Sequence, residues 1–156
     1  MPRIFPLLLL LLLAACAAEV PPPPPEPTRL QLHYFVSQEL NRAPSGAPAP
    51  VRVRLFELKN ATAFSRADYF SLVDNPQASL GADLVEQDEL LLKPGDYLAV
   101  ERTLDEQTRY LGLVAGYRDL DRAVWRQVIS VPLNQTTSHD VTLGSHALSV
   151  APSPAQ

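Results

Sequence analysis

The chain has 156 residues, with 13 basic and 17 acidic side chains and a single cysteine. Its formal net charge of −4 argues against nucleic-acid binding, because nucleic acids require a basic surface. One cysteine excludes an internal disulfide, so stability has to come from a hydrophobic core. A chain of this length builds one such core and therefore one domain.

The first sixteen residues have the layout of a secretory signal peptide. A short basic start at residues 1–3 is followed by an apolar run over residues 4–13, then by Ala14, Ala15 and Cys16. The apolar run is half as long as the roughly 20 residues that a membrane-spanning helix needs, so we expect cleavage of residues 1–15. The ending Leu-Ala-Ala-Cys is similar to a bacterial lipobox. In that interpretation the chain is cut between Ala15 and Cys16, and Cys16 receives a diacylglycerol and an N-acyl chain. The alternative is a chance cysteine beside an ordinary cleavage site.

Lipidation of Cys16 would give stable membrane anchoring, because each buried methylene contributes about 0.8 kcal/mol and several acyl chains are attached. The next residue is Ala17. An Asp at this position tends to hold lipoproteins of enteric-type bacteria at the inner membrane. Ala17 therefore favours the outer membrane, with the soluble part in the periplasm.

Residues 16–28 are predicted to form a tether. They contain five consecutive prolines at 21–25 and another at Pro27. Such runs adopt polyproline II at roughly 3 Å per residue, so the tether would hold the domain about 30–40 Å from the lipid. The segment is either a spacer that sets the reach of the domain or a generic lipoprotein linker.

The rest of the chain is predicted to be mainly β. Apolar residues alternate with polar ones in several short runs bounded by turn residues, which is typical of half-buried strands. We expect eight strands, at residues 30–36, 51–58, 85–92, 97–104, 109–117, 125–131, 140–143 and 147–150. The pair 97–104 and 109–117 is expected to form a hairpin, as is the last pair. This number of short strands favours a two-sheet sandwich over residues 29–151, with a flexible tail at 152–156.

One segment between the second and third strands has helical spacing. Residues 62–73 carry an apolar stripe at steps of three, formed by Phe64, Ala67, Phe70 and Val73. Ser65 and Asp68 have the spacing of a capping box, and Asn75-Pro76 is expected to end the helix. A second helical turn is expected over 77–84. We expect this insertion to pack on the rim of the sandwich.

The connection between the first two strands, residues 37–50, is unusually long. Loops of more than about twelve residues are uncommon unless they are functional or disordered. It contains three prolines, which stiffen it. A stiff loop on a rigid sandwich is suited to presenting a binding surface, although an inert insertion has the same sequence features.

Candidate catalytic and metal-binding residues are few. The histidines are His33, His139 and His146, without an HExxH motif or a cysteine partner for zinc. Ser138, His139 and Asp140 are the residue types of a triad, but neighbours on one strand do not converge on one point. The acidic residues of 83–89 lack the pattern of a calcium loop and favour a solvated edge. We expect no enzyme activity, metal, cofactor or small-molecule substrate. Trp125, the only tryptophan, is expected to fill the core or cap its end rather than to bind a partner.

Motifs along the chain point to one family. After the lipobox come Leu40-Asn41 at the end of the first strand, the run PVRVRLFELK at 50–59, Ala63-Phe64 and ADYFSL at 67–72. These are followed by LGADL at 80–84, Pro94-Gly95, LGLVAGYR at 111–118 and Trp125-Arg126. In this order the motifs resemble the TssJ (SciN/VasD-like) family, the outer-membrane lipoproteins of the type VI secretion system.

The resemblance implies a transthyretin-like sandwich on the periplasmic face of the outer membrane. It also implies binding to the periplasmic C-terminal region of the inner-membrane protein TssM through the loop between strands 1 and 2. The corresponding candidates here are Leu40, Asn41, Arg42, Pro44, Pro48 and Pro50. The second half of the loop departs from the family pattern, because it is rich in alanine and proline. The alternatives are a lipoprotein of another envelope assembly, such as a pilotin, and a periplasmic ligand carrier or enzyme.

Overall fold

A computed structural model describes residues 21–154. Ala15, Cys16 and the start of the tether lie outside the described residues. The chain forms eight strands with a helical insertion between the second and third. The strands are β1 Arg29–Val36, β2 Val51–Leu58, β3 Leu84–Leu92, β4 Tyr97–Thr103, β5 Tyr110–Ala115, β6 Arg126–Ser130, β7 Thr136–Leu143 and β8 Leu148–Pro152. The helices are α1 Thr62–Arg66, α2 Tyr69–Asp74 and α3 Pro76–Leu80, followed by a 3-10 turn at Gly81–Asp83.

The strands form two four-stranded sheets, and the predicted two-sheet sandwich is confirmed. One sheet has the order β4-β1-β7-β8 and the other the order β3-β2-β5-β6. Among the eight described strands, the neighbours β1 and β7 run parallel and the other neighbouring pairs run antiparallel. The predicted inward face of β1 is buried between the sheets, because Leu30, Leu32 and Tyr34 are fully buried and Val36 is 9% exposed.

The predicted hairpin between residues 97–104 and 109–117 is wrong. β4 pairs with β1 in one sheet, whereas β5 pairs with β2 and β6 in the other. The connecting segment crosses between the sheets and is held by the buried carboxylate of Glu57. That carboxylate accepts hydrogen bonds from the Thr108 hydroxyl at 2.8 Å and from the Asp105 backbone N–H at 3.2 Å. Alternation in the sequence predicts which face a side chain takes, but it does not specify the partner strand.

The helical insertion covers the outer face of the β3-β2-β5-β6 sheet, not the rim as expected. A second core lies there, formed by Phe56, Leu58, Phe64, Leu72, Leu80 and Val114. The second half of β2 is therefore buried on both faces, which explains why its apolar pattern stops alternating after Leu55. The Phe64 ring lies over Gly112 of β5, and an ideal Cβ built on that glycine would come within 2.5 Å of the ring.

The expected single helix over 62–73 is divided in two. α1 ends at Arg66, and Asp68 caps α2 by accepting a hydrogen bond from the Ser71 N–H at 3.0 Å. Ser65 therefore lies inside a helix and is not a cap. Phe70 of the expected apolar stripe is 63% exposed, because the break turns it away from the sheet. The predicted end before Pro76 is confirmed, since α2 ends at Asp74 and Pro76 begins α3.

Strand directions give the sandwich two distinct ends. β1 begins at Arg29, directly after the described part of the tether, and runs for eight residues, or roughly 25 Å. The end where β1 begins is called the tether end. The opposite end, called the distal end, is formed by the connections 37–50, 93–96, 116–125 and 144–147.

The described part of the tether, residues 21–28, forms neither helix nor strand. It is attached to the sandwich where Asn134 donates hydrogen bonds to the Glu26 carbonyl and the Thr28 hydroxyl, at 2.8 and 2.9 Å. At the other terminus β8 continues to Pro152, and the Ser153 N–H bonds the Ser138 carbonyl. Within residues 21–154, no helix has the length and apolar character required to cross a bilayer.

Candidate functional site

The loop between β1 and β2, residues 37–50, lies at the distal end and is anchored in the core. Leu40 is fully buried in the main core between the sheets. The Leu40 N–H bonds the Ser37 carbonyl at 3.2 Å, and the Leu40 carbonyl accepts from the Ala49 N–H at 3.0 Å. The two arms of the loop are thereby joined through the backbone of a residue whose side chain is held in the core.

Asn41 connects the loop to its surroundings. The residue is 5% exposed and its backbone has a φ of 52°, a left-handed conformation that asparagine tolerates better than most residues. The carboxamide nitrogen donates to the Pro50 carbonyl at 3.3 Å, and the carboxamide oxygen accepts from the Arg118 N–H at 2.8 Å. Both ends of the side chain are therefore used, one within the loop and one towards the β5–β6 connection.

The burial of Leu40 and Asn41 separates the predicted partner-binding residues into two groups. These two side chains brace the loop from inside and present almost no surface. Arg42, Pro44 and Pro50 are exposed and Pro48 is half-buried, so these four are the predicted residues that remain accessible. Direct contact with a partner stays a prediction, and it falls on the second group.

The exposed tip of the loop has an ordered shape. Gly46 N–H bonds the Ala43 carbonyl at 3.1 Å and closes a turn over Pro44. The Arg42 guanidinium donates to the Gly46 carbonyl at 3.3 Å and pairs with the carboxylate of Glu39. Two prolines and three hydrogen bonds thus restrict the tip without burying it.

The other connections of the distal end are joined to this loop. Ser37 accepts at its carbonyl from Gly95 N–H and donates its own N–H to the Leu143 carbonyl, at 3.3 and 2.9 Å. Tyr117 is buried and its hydroxyl donates to the Gly144 carbonyl at 3.2 Å. Burial raises the pKa of Tyr117 above its ordinary value, so the hydroxyl keeps its proton. Hydrogen bonds therefore join the connections of the distal end into one continuous surface.

The sequence reasoning did not anticipate that residues 116–125 would support the loop. The motif LGLVAGYR ends at Arg118 and could have pointed to this connection, but it served above only as a marker of the family resemblance.

Trp125 lies partly buried between both cores, as predicted. Its ring meets that of Tyr69 edge-on at 5.4 Å, and the Arg126 guanidinium lies 4.7 Å above it.

The residues weighed as catalytic do not form a site. On β7, Ser138 and Asp140 face outward while His139 faces the interior, because side chains alternate along a strand. Asp140 instead contacts His33 Nδ1 at 3.6 Å and accepts a hydrogen bond from Ser153. Burial lowers the pKa of His139, and nearby Asp140 partly offsets this.

Two of the three acidic residues of β3 pair with arginines, one on each face of the sheet. Asp88 pairs with Arg102 at 2.7 Å, and Glu89 pairs with Arg52 at 2.8 Å. The hydrogen bond from Arg102 lowers the pKa of Asp88. Among residues 21–154, no three His, Cys, Asp or Glu side chains are grouped so that they could hold a metal ion.

The protein is a β-sandwich with helices on one face and a braced loop at one end. This arrangement is typical of a scaffold that presents a binding loop. The model of the type VI secretion lipoprotein family (VasD, EvfM, TssJ) matches residues 28–146, and the chain belongs to this family. The family is a structural component of the secretion system and not an enzyme. No curated protein matches the chain.

Solved structures agree with this assignment. The T6SS lipoprotein TssJ1 from Pseudomonas aeruginosa is 56% identical, with a TM-score of 0.81 over 83% of this chain and 99% of that chain. Serratia marcescens Lip, described as a membrane-bound component of the type VI secretion system, is 25% identical, with a TM-score of 0.75 over 80% and 98%. A chain in a structure described as the TssM C-terminal domain from EAEC is 25% identical, with a TM-score of 0.65 over 81% and 99%.

Proposed function

We propose that this protein is an outer-membrane-anchored periplasmic lipoprotein that holds the periplasmic C-terminal region of TssM through the exposed tip of the 37–50 loop. The observation that carries the proposal is the position of that loop. It lies at the end of the sandwich opposite the tether, where it is braced by Leu40 and Asn41.

The anchor in this proposal is the lipid on Cys16, which follows a lipobox-like sequence. The tether enters the sandwich at the tether end, where Asn134 holds Glu26 and Thr28. A lipid at the far end of the tether would therefore leave the distal end facing away from the membrane. That orientation suits a partner that reaches across the periplasm.

The partner is inferred from the comparisons. A chain similar to this protein occurs in a structure described as the TssM C-terminal domain, which supports a TssM-type partner. Arg42 and the prolines at 44, 48 and 50 are the candidate contact residues that have accessible surface. A loop already held in shape loses less conformational entropy on binding, so more of its contact energy appears as affinity.

In this proposal the protein acts by binding its partner and not by catalysing a reaction. Lipid at Cys16 fixes the position, the tether sets the reach, the sandwich keeps the loop rigid, and the exposed tip supplies the contact. Neither a cofactor nor a small-molecule substrate has a role in it.

The anchor is tested by fractionation of cells that express the wild type or Cys16→Ser with the partner present. The wild type is expected in outer-membrane fractions with the TssM region bound. Cys16→Ser is expected to remain folded, to be absent from the outer-membrane fraction and still to retain the TssM region in a pull-down. A Cys16→Ser protein that stays with the outer membrane would contradict the lipid anchor, whereas a wild type that fails to retain the TssM region would contradict the partner.

A further inference from the structure

The two sheets end in four edge strands, and these edges differ in how well they are protected. A free edge exposes unpaired N–H and C=O groups and recruits further strands unless it is blocked. The β8 edge is blocked, because Leu148 N–H bonds Val124, its carbonyl accepts from the Gln127 side chain at 2.9 Å, and Pro152 has no N–H. The β6 edge is only five residues long and is soon followed by Pro132.

The β3 edge is longer, but it is guarded by charge. Its central residues include Glu86, Asp88 and Glu89, and charged side chains discourage strand addition. β4 is less protected, because Tyr97 to Val100 carry no charge and its two charged residues, Glu101 and Arg102, lie towards the other end of the strand. It spans seven residues without proline or an irregular register and, within residues 21–154, it pairs only with β1.

The register identifies the free backbone groups of β4. Leu104 N–H bonds the Thr28 carbonyl and Val36 N–H bonds the Asp96 carbonyl, so even-numbered β4 residues form the hydrogen-bonded pairs with β1. In an antiparallel ladder the residues between them point their N–H and C=O groups the other way. Tyr97, Ala99, Glu101 and Thr103 therefore direct these groups to the open edge.

This edge begins beside the loop of the proposed function. The turn at 93–96 precedes β4, and its Gly95 N–H bonds the carbonyl of Ser37, the first residue of the loop. A partner that covers the distal end could therefore continue along β4 without leaving the protein surface.

The surroundings of the edge indicate the chemistry of an added strand. Tyr97 and Phe35 are 62% and 43% exposed, with ring centroids 5.2 Å apart, so they offer an apolar contact on the outer face.

We propose that the free edge of β4 receives an extended segment of the same periplasmic partner that carries an apolar side chain, and that this segment adds as a fifth strand to the β4-β1-β7-β8 sheet. The inference rests on the proposed function, because it takes the loop-bound partner as the source of the segment. Backbone hydrogen bonds to Tyr97, Ala99, Glu101 and Thr103 supply the binding, and an apolar side chain on the outer face meets the Phe35–Tyr97 pair.

Amide hydrogen exchange on the full chain, alone and with the TssM periplasmic C-terminal region, tests the proposal at single-residue resolution. In the protein alone, the amides of residues 98, 100 and 102 should exchange slowly, and those of 97, 99, 101 and 103 quickly. Addition of the partner should slow the odd-numbered set and so remove the alternation.

The outcomes separate this proposal from the proposed function. Protection of 37–50 without protection of the odd β4 amides would overturn the strand addition and leave the loop contact intact. Protection of the odd β4 amides without the loop would overturn the loop contact alone. No binding would overturn both. Protection that appears in the protein alone as its concentration rises would identify a second copy as the occupant and would also overturn the proposal.

A variant pair provides an independent test. Ala99→Pro removes an outward N–H from β4 and should weaken partner binding about tenfold. Gln87→Pro is the matched control on β3, because Gly116 N–H bonds Arg52 and thereby sets even-numbered β3 residues against β2, leaving Gln87 N–H outward. Equal affinities for both variants, with unchanged circular dichroism, would contradict the proposal.

Discussion

The carboxamide oxygen of Asn41 accepts a hydrogen bond from the backbone N–H of Arg118 at 2.8 Å, although the two residues are 77 positions apart in sequence. This contact joins the 37–50 loop to the β5–β6 connection. Together with the bond to Pro50, it makes the shape of the loop dependent on one side chain.

Asn41→Ala should therefore weaken both folding and partner binding. It removes two hydrogen bonds of about 0.5–1.5 kcal/mol each and places alanine in a left-handed conformation. We expect the free energy of unfolding to fall by about 2–4 kcal/mol in urea denaturation. Arg42→Ala, the exposed neighbouring position, is the control and should change stability by no more than about 0.5 kcal/mol. Similar stability losses in the two variants would contradict the bracing role of Asn41.

Leu40 should behave as a core residue and not as a contact residue. Leu40→Ala leaves a cavity in the main core and should lower the free energy of unfolding by about 2–5 kcal/mol. Pro44→Ala, at the exposed tip, should leave stability nearly unchanged. Chemical denaturation of both variants checks this, and a near-neutral Leu40→Ala would mean that the loop is not anchored in the core.

Gly112 is predicted to be intolerant of a side chain, because the Phe64 ring occupies the space that a Cβ would need. Gly112→Ala should destabilise the protein by about 1–3 kcal/mol through overpacking. Gly144→Ala meets only an ordinary contact at 3.6 Å and should be tolerated. Adding Phe64→Leu to Gly112→Ala should recover part of the lost stability. A double variant whose loss of unfolding free energy equals or exceeds the sum of the two single losses would argue against the clash.

Stability should also depend on pH through His139. Burial lowers the folded-state pKa of His139 below its ordinary value of 6.5, so the unfolded chain binds a proton more readily than the folded one. The contribution of neutral His139 to the free energy of unfolding is fully present above pH 6.5 and declines as the pH falls through 6.5 towards the folded pKa. Thermal unfolding at pH 7.5 and pH 5 should therefore show a smaller loss of midpoint temperature in His139→Gln than in the wild type. An equal loss in both proteins would exclude His139 as the cause.

The part of the fold that could be predicted from the sequence is the part set by local patterns. The alternation from Leu30 to Val36 predicts an inward and an outward face, and the structure confirms both. The turn before β4 and the helix stop at Pro76 follow from backbone restrictions of proline and glycine. The pairing of β4 with β1 did not follow, because alternation carries no information about the neighbouring strand.

The site was predicted in position but not in internal detail. Loop length and family resemblance together pointed to residues 37–50. They did not distinguish residues that brace the loop from residues that are accessible. Leu40 and Asn41 are buried because contacts distant in sequence, with the main core and with Arg118, enclose them.

The most direct test of the account is the affinity of the TssM periplasmic C-terminal region for variants altered at opposite ends of the sandwich. A variant with Arg42→Ala, Pro44→Ala and Pro48→Ala changes the tip of the 37–50 loop, and a variant with Lys59→Ala, Glu106→Ala and Arg109→Ala changes exposed residues at the tether end. Isothermal titration calorimetry should give at least about a tenfold loss of affinity for the first variant and wild-type affinity for the second. Unchanged binding by the first variant, with its fold intact, would contradict the claim that this protein holds its partner through the loop.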